Sequence, residues 1–103
     1  MNLRVLSPAV DEIADAAVWF DSQRTGLGGE FWQAVDTTLL RIEANPLAFA
    51  RSEFATPQLD LRSAVIRRFH YVIHFLIEAD EVQIVSVAHA ARRPGNWLRR
   101  VNQ

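Results

Sequence analysis

The chain has 103 residues, one domain's worth, with 11 basic and 12 acidic residues for a net charge of −1; half of it is hydrophobic and a tenth aromatic, which excludes a disordered chain and suffices for one core. It has no Cys, so disulfide scaffolds, thiolate zinc sites, iron–sulfur clusters and cysteine nucleophiles are excluded. No apolar run nears the ~20 residues that cross a bilayer, and the opening MNLRVLSPAVDEI lacks a signal-peptide pattern, so a cytoplasmic protein is expected.

All the basic residues are Arg. Residues 1–61 hold four Arg and nine acids, for −5, and residues 62–103 hold seven Arg and three acids, for +4. Such a split is met either by an anionic partner or by unlike charges pairing across the fold, and the second is favoured. The isoelectric point of 6.3 falls short of the value above about 9 usual for a dedicated nucleic-acid binder.

In chain order, residues 2–6 alternate weakly and predict a short strand. Ser7-Pro8 predicts a helix start with Ser as the cap, and Asp11 and Glu12 follow near its positive end. Val10, Ile13, Ala14, Ala17 and Phe20 then give the apolar stripe of a first helix. Gly26, Gly28 and Gly29 break the chain, and a second helix is predicted from near Glu30, with Phe31, Val35, Leu39 and Ile42 as its stripe and Trp32 beside it. Asn45-Pro46 ends it, because the residue before Pro is pushed out of the helical region. A linker so short predicts a helix hairpin.

Residues 46–60 read as a loop. Leu61 to Arg68, Tyr71 to Glu78 and Val82 to Ala88 read as strands of an antiparallel meander, with Ala79-Asp80-Glu81 as a tight turn. The order β-α-α-β-β-β is an α+β architecture, a helix hairpin on one face of an antiparallel sheet. Simple alternation places Tyr71, Ile73, Phe75 and Ile77 on one face of the third strand and Val72, His74 and Leu76 on the other, and in the last strand Val82, Ile84 and Ala88 on one face and Val85 and Val87 on the other. Both faces are apolar in the middle. Two helices cover only one, so the loop 46–60, the C-terminal tail or a partner chain must cover the other.

Metal chemistry is not expected. His70 and His74 are four strand residues apart, about 13 Å, too far to share one ion. Gly26-Leu27-Gly28-Gly29 follows no strand and reads as a linker, not a phosphate loop. The densest candidate for chemistry is His89-Ala90-Ala91-Arg92-Arg93-Pro94, just past the last strand: His can exchange a proton near neutral pH and Arg can hold phosphate. Arg67 and Arg68, at the end of the second predicted strand, are expected to approach it across the sheet. An ordinary reading stands beside this one, in which the arginines are solvated and His89 caps the sheet.

Several segments, in order and spacing, resemble the RelE/ParE family of toxins from bacterial type II toxin–antitoxin (plasmid stabilisation) modules. They are Ala14 to Phe20 with Trp19-Phe20; Gly26-Leu27-Gly28 and then Phe31; Ile42-Glu43-Ala44-Asn45-Pro46; Arg62; Arg68-Phe69-His70-Tyr71-Val72-Ile73; and Val87 to Pro94 followed by Trp97 and Arg100. The family's usual Phe-Pro-Tyr is Phe69-His70-Tyr71 here. The resemblance implies a toxin spanning residues 1–103, needing no cofactor and neutralised by a co-encoded antitoxin whose flexible segment lies across helices and sheet; Trp19, Val72, His74, Leu76, Val85 and Val87 would be its contacts.

The resemblance also implies one of two activities. A ParE-like member binds DNA gyrase and needs no catalytic group, and Arg92, Arg93, Trp97, Arg99 and Arg100 would form the target-facing patch. A RelE-like member cuts messenger RNA on the ribosome, and His89, Arg67 and Arg92 would be catalytic. The absence of Lys, the Gly-Leu-Gly linker and the acidic N-terminal half favour the ParE-like reading. A degenerate, non-toxic binding domain of the same fold is the third reading.

Overall fold

The computed structural model describes residues 1–92 and 97–101. The elements are β1 (Asn2–Val5), α1 (Ser7–Gln23), α2 (Leu27–Ala44), β2 (Asp60–Ile66), β3 (Tyr71–Glu78) and β4 (Glu81–His89), with single 3-10 turns at Pro46–Ala48, Arg67–Phe69 and Leu98–Arg100. The sheet order is β1-β4-β3-β2. The expected meander β2-β3-β4 is present and antiparallel, while β1 joins the far side of β4 in parallel and makes the sheet mixed.

The start of α1 corrects one expectation. Ser7 does not cap it; the cap position is Leu6, whose carbonyl accepts from the N–H groups of Ala9 (2.9 Å) and Val10 (3.0 Å). Pro8 lies in the first turn, where its missing N–H costs no bond. The buried stripe is Ala9, Ile13, Ala16 and Ala17, so Val10 and Ala14 turn outward. The alanines matter because α2 crosses closely there.

α2 begins at Leu27, three residues earlier than expected. Its start is capped from α1: Asp21 Oδ1 accepts from the N–H groups of Gly26 (2.9 Å) and Gly28 (3.2 Å). The positive end of α2 therefore already holds a carboxylate. Gly26 adopts φ +92°, a conformation that Gly takes without strain. At Gly28 a Cβ atom would stand 2.4 Å from the Ala17 carbonyl oxygen, whereas at Gly29 it would meet nothing within 4 Å. Gly28→Ala should therefore destabilise by about 2–3 kcal/mol through overpacking of the helix crossing, while Gly29→Ala is neutral or stabilises by up to about 1 kcal/mol through helix propensity. Urea unfolding of the two variants checks the contrast, and equal effects would refute it.

The main core lies between the hairpin and the sheet, built on Phe31, Val35, Ile42, Ile73, Phe75, Val82, Ile84 and Val87. Phe31 sits within 5.0–5.3 Å, ring centre to ring centre, of Phe20, Phe69 and Tyr71. β3 and β4 do not stay in phase. Phe75 pairs with Ile84 but His74 pairs with Ser86, leaving Val85 as an extra residue. This β-bulge reverses the side-chain alternation beyond it. Val87 consequently belongs to the helix-side core, 1% exposed, and Ala88 to the other face, the reverse of the simple alternation.

The second face is covered largely by the chain itself. Leu61, Leu76, Val85 and Trp97 form a second core with Phe54, Leu59, Leu98 and Val101 packed on it. The loop after α2 and the C-terminal tail thus seal this half, so no partner is needed there. The other half stays open, and Val72, His74, Ser86 and Ala88 line a cleft of about 470 Å³.

Candidate functional site

Two hollows flank the end of the sheet where β3 starts and β4 finishes. One is the 470 Å³ cleft on the tail side. The other is a groove of about 790 Å³ on the helix side, lined by Trp19, Phe20, Arg68, His70 and Tyr71 among others. Glu12, His89 and Arg92 line both.

Glu12 organises this end. β1 pairs with β4 only as far as Ile84 and then turns into α1, which would leave the outer edge of β4 bare. The carboxylate of Glu12 replaces the missing strand: its Oε1 accepts from the Val87 N–H (3.0 Å) and from Arg100 Nη1 (3.1 Å). Arg100 Nη1 also donates to the Val85 carbonyl (2.9 Å). The two side chains continue the edge hydrogen bonding and anchor the tail to the sheet. Arg92 lies 3.9 Å from Glu12 and is mostly exposed.

His89 ends β4 opposite Tyr71, with the rings edge-to-face at 5.5 Å. Its Nδ1 accepts from the Ala91 N–H at 3.0 Å, so Nε2 is the nitrogen left for other partners. Burial raises the Tyr71 hydroxyl pKa, while the positive charge of Arg92 works against that. In the tail-side cleft, Trp97 stacks on His74 with ring centres 4.4 Å apart and planes 24° apart. Among the described residues, His74 Nδ1 and its cross-strand neighbour Ser86 Oγ are buried without a partner.

Desolvation lowers the His74 pKa to about 4, against a smaller upward pull from Glu12. The folded state thus binds this proton less readily than the unfolded chain. Stability should fall as pH drops from 6.5 towards about 4. Glu12, Glu53, Arg51, Arg92 and Arg100 line the same cleft, so the measurement is the difference between wild type and His74→Phe in urea unfolding across this range. A pH-independent difference would refute the prediction.

The residues proposed as catalytic are not all brought together. His89 and Arg92 share the site, but Arg67 lines a separate groove between α2 and β2. Arg68 is the arginine that reaches the His89 groove, and it is bonded to Glu30, whose carboxyl that bond holds below its usual pKa. The target-facing patch is divided too. Arg92 and Arg99 are exposed, whereas Trp97 is 4% exposed in the second core and Arg100 is tied to Glu12; Arg93 lies outside the described residues. Of the antitoxin contacts, Trp19 is 57% exposed in the helix-side groove and Val72 and His74 line the tail-side cleft, but Leu76, Val85 and Val87 are core residues.

Glu12 is the residue that sequence reasoning missed. The signal was present: Ala9, Glu12 and Ala16 fall at three- and four-residue steps on one helix face, and an acid on a buried stripe implies a fixed partner.

No family model and no curated protein matches the chain. Among solved structures it is similar to a chain of "Chromosomal ParDE TA system from P. aeruginosa", with a TM-score of 0.64 and 14% identity over 86% of this chain and 95% of that one. At that identity the likeness is one of fold: two helices on a mixed sheet, α+β, ParE-like. No described helix is long and apolar enough to cross a membrane.

Proposed function

We propose that this chain is the toxin of a toxin–antitoxin module, acting in the bacterial cytoplasm by binding rather than by catalysis, in the manner of a ParE-like gyrase inhibitor. The observation that carries the reading is the scattering of the catalytic candidates on a ParE-like fold: Arg67 opens into a different groove from His89 and Arg92. Docking onto a target needs no such constellation. Trp19, flanked by Phe20 and Tyr71, offers an aromatic anchor of the kind that dominates protein interfaces, and an antitoxin segment laid there would cover it. Among the described residues, Arg92 and Arg99 are the exposed cations near the tail that would meet the target.

The test is supercoiling by purified gyrase with the protein added, alone and with the product of an adjoining reading frame. Inhibition relieved by that product is expected; normal supercoiling alongside arrested translation would reject the reading.

A second reading, ribosome-dependent cleavage of messenger RNA, is favoured by one feature. The tail-side cleft gathers Arg51, Arg92, His89 and the buried His74 Nδ1 and Ser86 Oγ, which have no partner among the described residues. Under that reading His89→Ala abolishes cleavage while Arg99→Ala does not. A chain harmless on overexpression without its antitoxin would point to a non-toxic binding domain.

A further inference from the structure

β1 forms one edge of the sheet, and its pairing with β4 fixes which of its backbone groups turn outward. The N–H of Asn2 donates to the Asp80 carbonyl (3.2 Å) and that of Leu6 to the Ile84 carbonyl (3.0 Å). In a parallel pair alternate residues bond to the neighbour, so Asn2, Arg4 and Leu6 face β4, and the N–H and C=O groups of Leu3 and Val5 face out. Among the described residues these outward groups have no backbone partner.

The two faces of the edge differ in chemistry. Leu3 and Val5 pack half-buried against the main core. Leu3 lines a hollow of about 310 Å³ with Leu39 and Leu40. Leu40, 66% exposed, and Met1, on the same face of the strand as Leu3 and 49% exposed, leave apolar surface uncovered there. Asn2 and Arg4 lie on the opposite face, beside Glu81 and Gln83 of β4. Natural sheets guard an edge with charged side chains, but Arg4 is drawn back towards the sheet by Glu81 at 3.4 Å.

We propose that β1 is the interface of a homodimer, in which a second copy pairs with it antiparallel about a two-fold axis at Leu3 and joins two four-stranded sheets into one of eight strands. The outward groups admit an axis at Arg4 or at Leu3. The first would set Arg4 against its own copy at the closely spaced position, where like charges repel. The second sets Leu3 against Leu3 of the second copy at the hydrogen-bonded position, and Arg4 against Asn2, a cation against an amide. Each Leu3 N–H then donates to the other Leu3 carbonyl, and each Val5 N–H to the Met1 carbonyl opposite it. A second copy is the fitting occupant because the edge is self-complementary: one short strand supplies both sides of every pair. Asp36 and Glu43 rim the Leu3 hollow and approach their copies across the axis, so the association is opposed at low ionic strength and tightens as salt screens them. The inference stands on the edge and its register, independently of the toxin reading.

Sedimentation of the full chain should show a concentration-dependent dimer that strengthens with salt. Leu3→Pro deletes an outward N–H and leaves those that bond to β4, and it should weaken the dimer by about tenfold or more. The chain has no Cys, so a single introduced thiol reports the register. In the proposed pairing the two Cα atoms of Leu3→Cys lie about 5.5 Å apart, within disulfide reach, and those of Arg4→Cys about 8 Å apart, beyond it. Leu3→Cys should therefore cross-link on mild oxidation and Arg4→Cys should not, an arm that stands even if the Leu3→Pro protein fails to fold. A monomer at every concentration, a dimer that loosens as salt rises, a dimer untouched by Leu3→Pro, or equal cross-linking of Arg4→Cys would each overturn the proposal. So would Leu3 and Val5 amides that gain protection from hydrogen exchange only when the product of an adjoining reading frame is added, which would give the edge to that partner.

Discussion

Replacing Phe31 with alanine is expected to lower the free energy of unfolding by about 4 kcal/mol, the cost of truncating a fully buried aromatic ring. The ring is 0% exposed and centres a cluster with Phe20, Phe69 and Tyr71. Its removal forfeits transfer energy, leaves a cavity and breaks several edge-to-face contacts. A domain of this size has a total stability on the order of 5–15 kcal/mol, so the loss takes a large share of it. Phe31→Leu keeps most of the volume and should cost less than about 1.5 kcal/mol, which holds the comparison in a measurable range. Urea unfolding gives both values, and a loss below about 1.5 kcal/mol for Phe31→Ala would refute the cluster's role. Phe20 carries Trp19 edge-on at 5.1 Å, so the same substitution should loosen the helix-side groove and weaken whatever binds there.

Glu12→Ala should cost about 3 kcal/mol. The substitution strips the Val87 N–H of its acceptor, and an unpaired buried donor costs about 1–3 kcal/mol. It also leaves the Arg100 guanidinium without its carboxylate. Breaking a fully buried pair costs about 3–5 kcal/mol, a figure discounted here because the side chains keep 17% and 25% of their exposure. Glu12→Gln retains an acceptor for Val87 and loses only the charge, so its cost should be smaller. The distinguishing readout is the tail. Freed of its anchor, residues 97–101 should lift from the second core, and the fluorescence of Trp97, isolated in a Trp19→Phe/Trp32→Phe background, should shift to the red. A Glu12→Ala protein with wild-type stability and an unshifted Trp97 would show that the tail is held by apolar contacts alone.

The two helices, the meander and their order were legible because each rests on local periodicity: three- and four-residue steps in α1 and α2, and runs of Val, Ile and Phe in β2 to β4. The helix boundaries were less so. α2 starts at Leu27 because Asp21, on the preceding helix, supplies the cap that Gly26 has no side chain to give. His89 and Arg92 were visible as chemistry at a strand end, and the structure does bring them together. Trp97 and Arg100 looked like target-facing residues because an aromatic and a cation in a short tail have no local pattern that separates anchor from surface. Their partners, His74 and Glu12, are distant in sequence.

By itself the sequence determined the layer architecture, since hydrophobic spacing within a segment decides which face must be buried whatever it packs against. It also set the absence of thiol chemistry and the excess of arginine in the second half. Only the tertiary structure decided which side chains occupy which face and what covers the second one. A single extra residue at Val85 reverses the alternation of β4 without disturbing its composition. The loop and tail that seal the far side do so through contacts between segments tens of residues apart. Such pairings depend on how separate elements meet in space, and that information is held by no one segment of the chain.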